Sequence, residues 1–154
     1  IQYVVVIVST KVKEVSTSNG QLGASQSPFF AIRKKNMKSK ISRCKQYIKN
    51  KNFEMFGELI ESEALELHTI MMTSNPSLMY LLPETLAIMR LTRSLRKSGL
   101  PVYFTLNTGQ NIHLIVEKKN VNKLILKLKK IKFIKKLIVN SSSEGAKITN
   151  KHLF

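Results

Sequence analysis

The sequence predicts an α+β fold, a mostly antiparallel sheet with helices packed on one face, of the split-βαβ type. Three observations predict it. Tyr3–Ser9 is a continuous run dominated by β-branched residues, as in a buried central strand. Val102–Leu106 and Ile112–Val116 are two further β-rich runs around the polar stretch Asn107-Thr108-Gly109-Gln110-Asn111. Asn and Gly tolerate the positive φ that tight hairpin loops demand, so this segment reads as two antiparallel strands and a turn. The segments between and after these runs carry apolar residues at helical spacing. The resulting order is strand, helices, two strands, helix, strand, with no internal repeat. A chain of 154 residues fits one domain, 1–154, and can bury a core.

In chain order, Thr10–Ser27 is rich in Ser, Thr, Gly and Asn and reads as a loop. Within it, Val15–Gln21 combines hydroxyls with turn-permissive residues, as an anion-contacting loop would. Ser27-Pro28 reads as a helix cap followed by Pro at the first helical position. The first helix is expected from Pro28 to Asn50, with Phe29, Ile32, Met37, Ile41, Cys44 and Ile48 as its apolar stripe. A second, Phe53 to Met72, places Phe53, Phe56, Ile60, Ala64, Leu67 and Met71 on one face. Its acids Glu54, Glu58, Glu61, Glu63 and Glu66 suit it to pack antiparallel on the Lys-rich first helix. Thr73–Pro76 is a turn. Pro83 starts a third helix, which runs to Ser98 with Gly99 as its stop signal. Asn120 is expected to cap a fourth helix, Val121–Lys130, that buries Leu124, Leu128 and Ile131. Leu137–Asn140 and Lys147–Thr149 read as short strands on either side of Ser141–Gly145, and the end beyond them, with His152, looks disordered.

The formal net charge is +17, from 26 Lys and Arg against 9 acids. The positives fall mainly in Arg33–Lys51 and Lys118–Lys136 at helical spacing, which fits solvated helix faces. Only five are Arg, the residue preferred for bidentate phosphate and base contacts. No alternation of aromatic and basic residues suggests a stacking platform. Nucleic acid is therefore not the expected partner, although a basic polyanion-binding module remains an alternative to an enzyme. The single cysteine, Cys44, excludes an internal disulfide framework and fits a cytoplasmic location. The apolar run Tyr3–Val8 is too short to span a membrane. The chain starts with Ile and enters a strand at once, from which a piece of a longer protein is expected.

The residues of simple catalytic centres are missing. His68, His113 and His152 are scattered and no HExxH or CxxC occurs, so no metal site is expected. Neither GxxxxGK[ST] nor GxGxxG is present. The nine acids are all Glu, and without any Asp a Ser–His–Asp triad cannot be built. Composition thus argues against a self-contained catalytic centre.

Several stretches together resemble the C-terminal half of diphosphomevalonate (mevalonate pyrophosphate) decarboxylases, members of the GHMP kinase superfamily. They are Leu65–Pro76 (Leu-Glu-Leu-His-Thr-Ile-Met-Met-Thr-Ser-Asn-Pro), Pro83-Glu84-Thr85-Leu86, Pro101–Leu106, and Val15-Ser16-Thr17-Ser18 with Gly20 and Ser27-Pro28-Phe29. The resemblance runs from about Tyr3 to Lys147 and implies the ferredoxin-like fold of the GHMP kinase C-terminal domain. It implies an enzyme that uses ATP and Mg2+ to phosphorylate the tertiary hydroxyl of diphosphomevalonate. Loss of phosphate and carbon dioxide then yields isopentenyl diphosphate, in the mevalonate pathway of isoprenoid biosynthesis. The nucleotide-binding loop belongs to the N-terminal half, which is absent here. That half would be a partner, and a homodimer is implied as well.

By the same resemblance, Asn107 occupies the position of the catalytic aspartate beside the substrate hydroxyl, with Thr108 as its neighbour. Thr17 and Ser18 match the hydroxyls that contact the diphosphate, and Gln21 stands where relatives carry Met or His. The family loop reads Asp-Ala-Gly-Pro-Asn, whereas this chain reads Asn-Thr-Gly-Gln-Asn. A carboxylate can accept a proton and a carboxamide cannot, so impaired catalysis is expected. Asn107 reads equally well as a plain hairpin-turn residue. A related small-molecule kinase that does not decarboxylate is a further alternative.

Overall fold

β1 (Gln2–Ile7), β2 (Val102–Thr105), β3 (Ile112–Val116) and β4 (Lys136–Ser141) form one sheet in the order β2-β3-β1-β4. This computed structural model describes residues 1–13, 15–145 and 147–149. All three neighbouring pairs are antiparallel, with Val4 opposite Leu114 and Val139, and Phe104 also opposite Leu114. The helices are α1 (Thr17–Gly23), α2 (Phe30–Lys49), α3 (Phe53–Met72), α4 (Pro83–Lys97) and α5 (Val121–Leu128). The α+β architecture read from the sequence is the one observed.

Alternation explains the core. Side chains two apart share a sheet face, so Val4, Val6, Val102, Phe104, Ile112, Leu114 and Val116 all point to one side, each at most 1% exposed. Ile88, Met89 and Leu95 of α4 and Leu124 and Leu128 of α5 close over them. Full burial of each such side chain is worth about 1.5–3 kcal/mol. α3 runs beside β2 and crosses Tyr103 so closely that a Cβ on Gly57 would lie 2.2 Å from the ring. Phe53 meets the same ring edge-on at 5.4 Å.

Several boundaries differ from the sequence reading. The expected loop Thr10–Ser27 contains α1 and a 3-10 turn, Ala24–Gln26. Ala24 and Gly20 are buried there against α3 and the Leu78–Tyr80 segment, and this packing outweighs the poor helical propensity of the stretch. α2 begins at Phe30, not Pro28, because the Ser27 hydroxyl accepts the Phe29 N–H at 3.2 Å in a separate turn. Asn120 makes no side-chain cap, and α5 ends at Leu128. Lys147–Thr149 does not form a strand, while His152 lies outside the described residues. Gly99, at φ +84°, follows the Ser98 cap of α4, a conformation that suits glycine.

The stripe expected on α2 is the largest correction. Phe29, Ile32, Ile41 and Ile48 are exposed, and the face turned to α3 carries Arg33, Met37, Lys40, Cys44 and Tyr47. Arg33 bonds Glu63 at 2.8 Å, and Lys40, only 6% exposed, bridges Glu63 and Glu66. Opposite charges on α3 therefore choose which side of α2 turns inward. On α3 itself Ala64 and Met71 are buried as expected, but Gly57, Glu61 and His68 share the buried side.

Candidate functional site

The connection from β2 to β3 is a wide loop, not the tight turn expected. Lys51 is the only described non-glycine residue with positive φ, and among the described glycines only Gly99 has it, so neither Asn107 nor Gly109 is left-handed. The loop is held internally by the Gly109 N–H, which donates to the Asn107 carbonyl at 2.8 Å. Asn111 ties it to the end of β1. Its Oδ1 accepts the N–H groups of Val8 (2.9 Å) and Ser9 (3.1 Å), and its Nδ2 donates to the Ser9 carbonyl at 3.1 Å. From α4, the fully buried Thr85 donates its hydroxyl to the Gln110 carbonyl at 2.6 Å. Three anchors fix a loop that is otherwise polar and partly exposed.

The opposing wall is the segment leading into α1. Ser16 caps the helix by accepting the Asn19 N–H at 3.2 Å. The Tyr80 hydroxyl donates to the Val15 carbonyl at 3.2 Å, and a Cβ on Gly20 would sit 2.8 Å from the same oxygen. Glycine at this position therefore lets α1 approach Tyr80.

The two walls meet at Thr17 and Thr108, whose hydroxyl oxygens lie 2.9 Å apart. Lys13 completes the corner, with Nζ donating to Thr17 Oγ1 at 2.6 Å and to the Thr108 carbonyl at 2.8 Å. The same ammonium lies 5.7 Å from the centre of the Tyr80 ring. A pocket of about 370 Å³ opens beside this corner, lined in part by Lys13, Val15, Tyr80, Leu82 and Gln110. A larger one of about 440 Å³, between Ile1 and the α2–α3 turn, is lined by none of the candidate residues.

Of the residues singled out from the sequence, Thr17 and Thr108 are brought into direct contact and Asn107 is the exposed neighbour of Thr108. Ser18 and Gln21 are exposed on α1, and neither side chain joins the described hydrogen bonds of the corner. Lys13, Tyr80, Thr85 and Asn111 also belong to the site, and nothing in their local spacing shows that they converge.

His68 of α3 is 2% exposed, and neither ring nitrogen has a partner in hydrogen-bond geometry. Burial lowers its pKa from the usual value near 6.5, and the nearby Asn107 backbone opposes part of that effect. The imidazole is thus held neutral close to the Asn107 loop. His113 is lowered for the same reason, and its Nδ1 pairs with the Tyr3 hydroxyl on the sheet.

The corner supplies two hydroxyls, an ammonium and a carboxamide. That set can bind an anion and orient an alcohol, and among the described residues it has no carboxylate to take a proton. Among the described residues no group of three His, Cys, Asp or Glu could hold a metal ion. Magnesium therefore does not fit these residues alone.

The comparisons with known proteins all give decarboxylases of mevalonate phosphates, but they name both the monophosphate and the diphosphate. The family described as mevalonate 5-diphosphate decarboxylase C-terminal domain matches residues 3–152. The phosphomevalonate decarboxylase of Haloferax volcanii is 26% identical over 109 residues, 70% of this chain and 34% of the relative. Mevalonate diphosphate decarboxylase from Staphylococcus aureus has a similar solved structure, at 29% identity and a TM-score of 0.83 over 90% of this chain and 42% of that one. So does MDDEF in complex with MVAPP, AMPPCP and magnesium, at 30% identity and a TM-score of 0.82 over 90% and 42%. The chain spans less than half the length of each of these proteins.

Proposed function

The chain belongs to the mevalonate 5-diphosphate decarboxylase C-terminal domain family, and we propose that it forms the substrate-facing half of an ATP-dependent decarboxylase. Its substrate is diphosphomevalonate, and its product isopentenyl diphosphate. The observation that carries this reading is the contact between Thr17 and Thr108, which joins the expected diphosphate-contacting corner to the loop of the catalytic position. Thr17, with Ser18 and Gln21 beside it on α1, faces the diphosphate end of the substrate. Thr108 and Asn107 face the alcohol that is phosphorylated.

ATP and magnesium are required by the same reading and bind mainly to an N-terminal half that packs against this domain. What this chain adds is substrate binding and orientation. Asn107 donates or accepts a hydrogen bond at the reacting hydroxyl but cannot remove its proton, so turnover is reduced, not abolished. Phosphoryl transfer depends heavily on positioning and on stabilisation of charge, which leaves room for residual activity. The assembled enzyme is cytoplasmic and homodimeric in this proposal. Among the described residues no helix is long and apolar enough to cross a membrane.

The test is release of carbon dioxide from diphosphomevalonate by the assembled enzyme, with and without Mg-ATP. ATP-dependent release supports the proposal. A stable phosphorylated product without carbon dioxide would assign a kinase instead. Turnover of phosphomevalonate in preference to diphosphomevalonate would move the substrate to that of the Haloferax volcanii relative. Binding of neither compound would remove the reading altogether.

A further inference from the structure

We propose that the pocket of about 440 Å³ between the α2–α3 turn and the end of β3 is a second binding site, which takes a free amphipathic anion, an apolar chain that ends in a phosphate. The inference does not depend on the substrate proposed above.

The apolar part of the pocket comes from the α2–α3 hairpin. Tyr47 and Ile48 at the end of α2 and Phe53 and Phe56 at the start of α3 line it. Phe53 is braced by Tyr103, which it meets edge-on at 5.4 Å. Ile48 is 57% exposed, so an apolar chain seated against it would remove that surface from water. Small-molecule sites commonly have this form: a concavity of roughly 300–1,000 Å³, mainly apolar and aromatic, with a few polar groups.

The charges on the same pocket are unbalanced. Lys51, Lys118 and Lys119 line it against one acid, Glu117, whose carboxylate already pairs with Lys119 at 3.2 Å. In the described ion pairs neither Lys51 nor Lys118 has a carboxylate partner. Two cations beside an apolar wall favour an anion, and a phosphate monoester carries a charge of about −1.5 to −2. Lys51 also holds its place against backbone preference. It follows the Asn50 cap of α2 with φ +53°, the only positive value at a described non-glycine residue. The Lys51 N–H donates to the Ile48 carbonyl at 3.1 Å and the Asn52 N–H to the Tyr47 carbonyl at 2.9 Å, a helix ending that favours glycine. Glycine would ease this turn and would remove a cation from the pocket.

The pocket lies away from the corner of Thr17 and Thr108. Gln2 pairs with Val116 at one end of β3, next to Glu117 and Lys118, and Val6 pairs with Ile112 at the other, next to the Asn107 loop. The five residues of β3 separate the two places by about 15 Å. A ligand in the pocket should therefore bind without displacing one at the corner.

The test is calorimetric titration of the full-length protein with octyl phosphate, butyl phosphate and inorganic phosphate. Octyl phosphate should bind at least tenfold more tightly than butyl phosphate, since each buried methylene strengthens binding about fourfold. Lys51→Gly should weaken octyl phosphate about fivefold without lowering the thermal midpoint, so that the loss is not one of folding. Lys118→Gln should weaken it to a similar degree, and decides by the same criterion if Lys51→Gly lowers the midpoint. Thr108→Val and Lys38→Gln, an exposed lysine on α2, should leave binding unchanged.

Equal affinity for inorganic and octyl phosphate would overturn the proposal, because the apolar wall would then contribute nothing. A loss with Lys38→Gln as large as with Lys118→Gln would show attraction to the net charge alone, and would overturn it too. So would displacement of octyl phosphate by diphosphomevalonate, or association only with anionic lipid vesicles and not with the free phosphate.

Discussion

Arg96 grips Glu61 through two parallel contacts, Nη1 to Oε1 at 2.8 Å and Nη2 to Oε2 at 3.0 Å, and the pair occupies the place of a further strand beside β2. Glu61 Oε1 accepts the Phe104 N–H at 3.2 Å, while Arg96 Nη1 donates to the Val102 carbonyl at 2.8 Å. The edge groups of β2 that would otherwise seek another chain are thus satisfied from α3 and α4. The guanidinium also stacks on Tyr103, 4.4 Å from its centre, and the hydrogen bond to Glu61 holds the Arg96 pKa above its ordinary value.

Glu61→Ala should destabilise the fold by about 3 kcal/mol, because it leaves a partly buried guanidinium and a strand N–H without their acceptor. Urea denaturation measures the change. A loss smaller than that of an exposed control such as Glu58→Ala would show that the edge pair contributes little.

Gly57→Ala should destabilise by about 1–3 kcal/mol, since the new methyl group meets the Tyr103 ring on a buried helix–strand contact. The readout is the thermal midpoint, with Tyr103→Ala as a second background. In that background the added methyl should be nearly neutral. An equal penalty in both backgrounds would place the cost elsewhere.

Stability should fall as pH drops below about 6.5. His68 and His113 both have pKa values lowered by burial, so the unfolded chain binds protons that the native state resists. The contribution is complete above the unfolded value near 6.5 and is lost as pH falls toward the lower folded values, by at most about 1.4 kcal/mol per pH unit for each proton. Denaturation series at several pH values should show this slope, and His68→Phe should reduce it. A slope unaffected by that substitution would remove His68 from the effect.

Asn107→Asp should raise ATP-dependent carbon dioxide release by about 10²–10⁴-fold in the assembled enzyme, the usual contribution of a positioned base. Single-turnover assays would separate this gain from any change in binding. A restored enzyme no faster than the original would show that the base sits at another position.

The strands were the most legible part of this protein. Tyr3–Ser9, Val102–Leu106 and Ile112–Val116 stand out as β-rich runs without any contact being known, whereas the alternation that buries Val4, Val6, Ile112 and Leu114 shows only in the structure. α1 was hidden because Thr17–Gly23 has two glycines and several turn-formers, and only its seat against Tyr80 and α3 makes it helical. At the site, the resemblance pointed to Thr17 and Thr108. It could not reveal that Asn111 straps the loop to Val8 and Ser9, or that Lys13 donates to both the Thr17 hydroxyl and the Thr108 carbonyl.

What the sequence determined by itself was the kind and order of most elements, α1 and the strand expected at Lys147–Thr149 excepted, and the absence of any aspartate where the resemblance expects a base. Both are local properties, readable from one segment at a time. The tertiary structure decided the rest. It turned the charged side of α2 inward because α3 offers Glu63 and Glu66, and it joined Thr17 to a residue 91 positions away. Ion pairs and hydrogen bonds of that kind depend on which surfaces meet in space, and the spacing of residues along the chain does not encode that meeting.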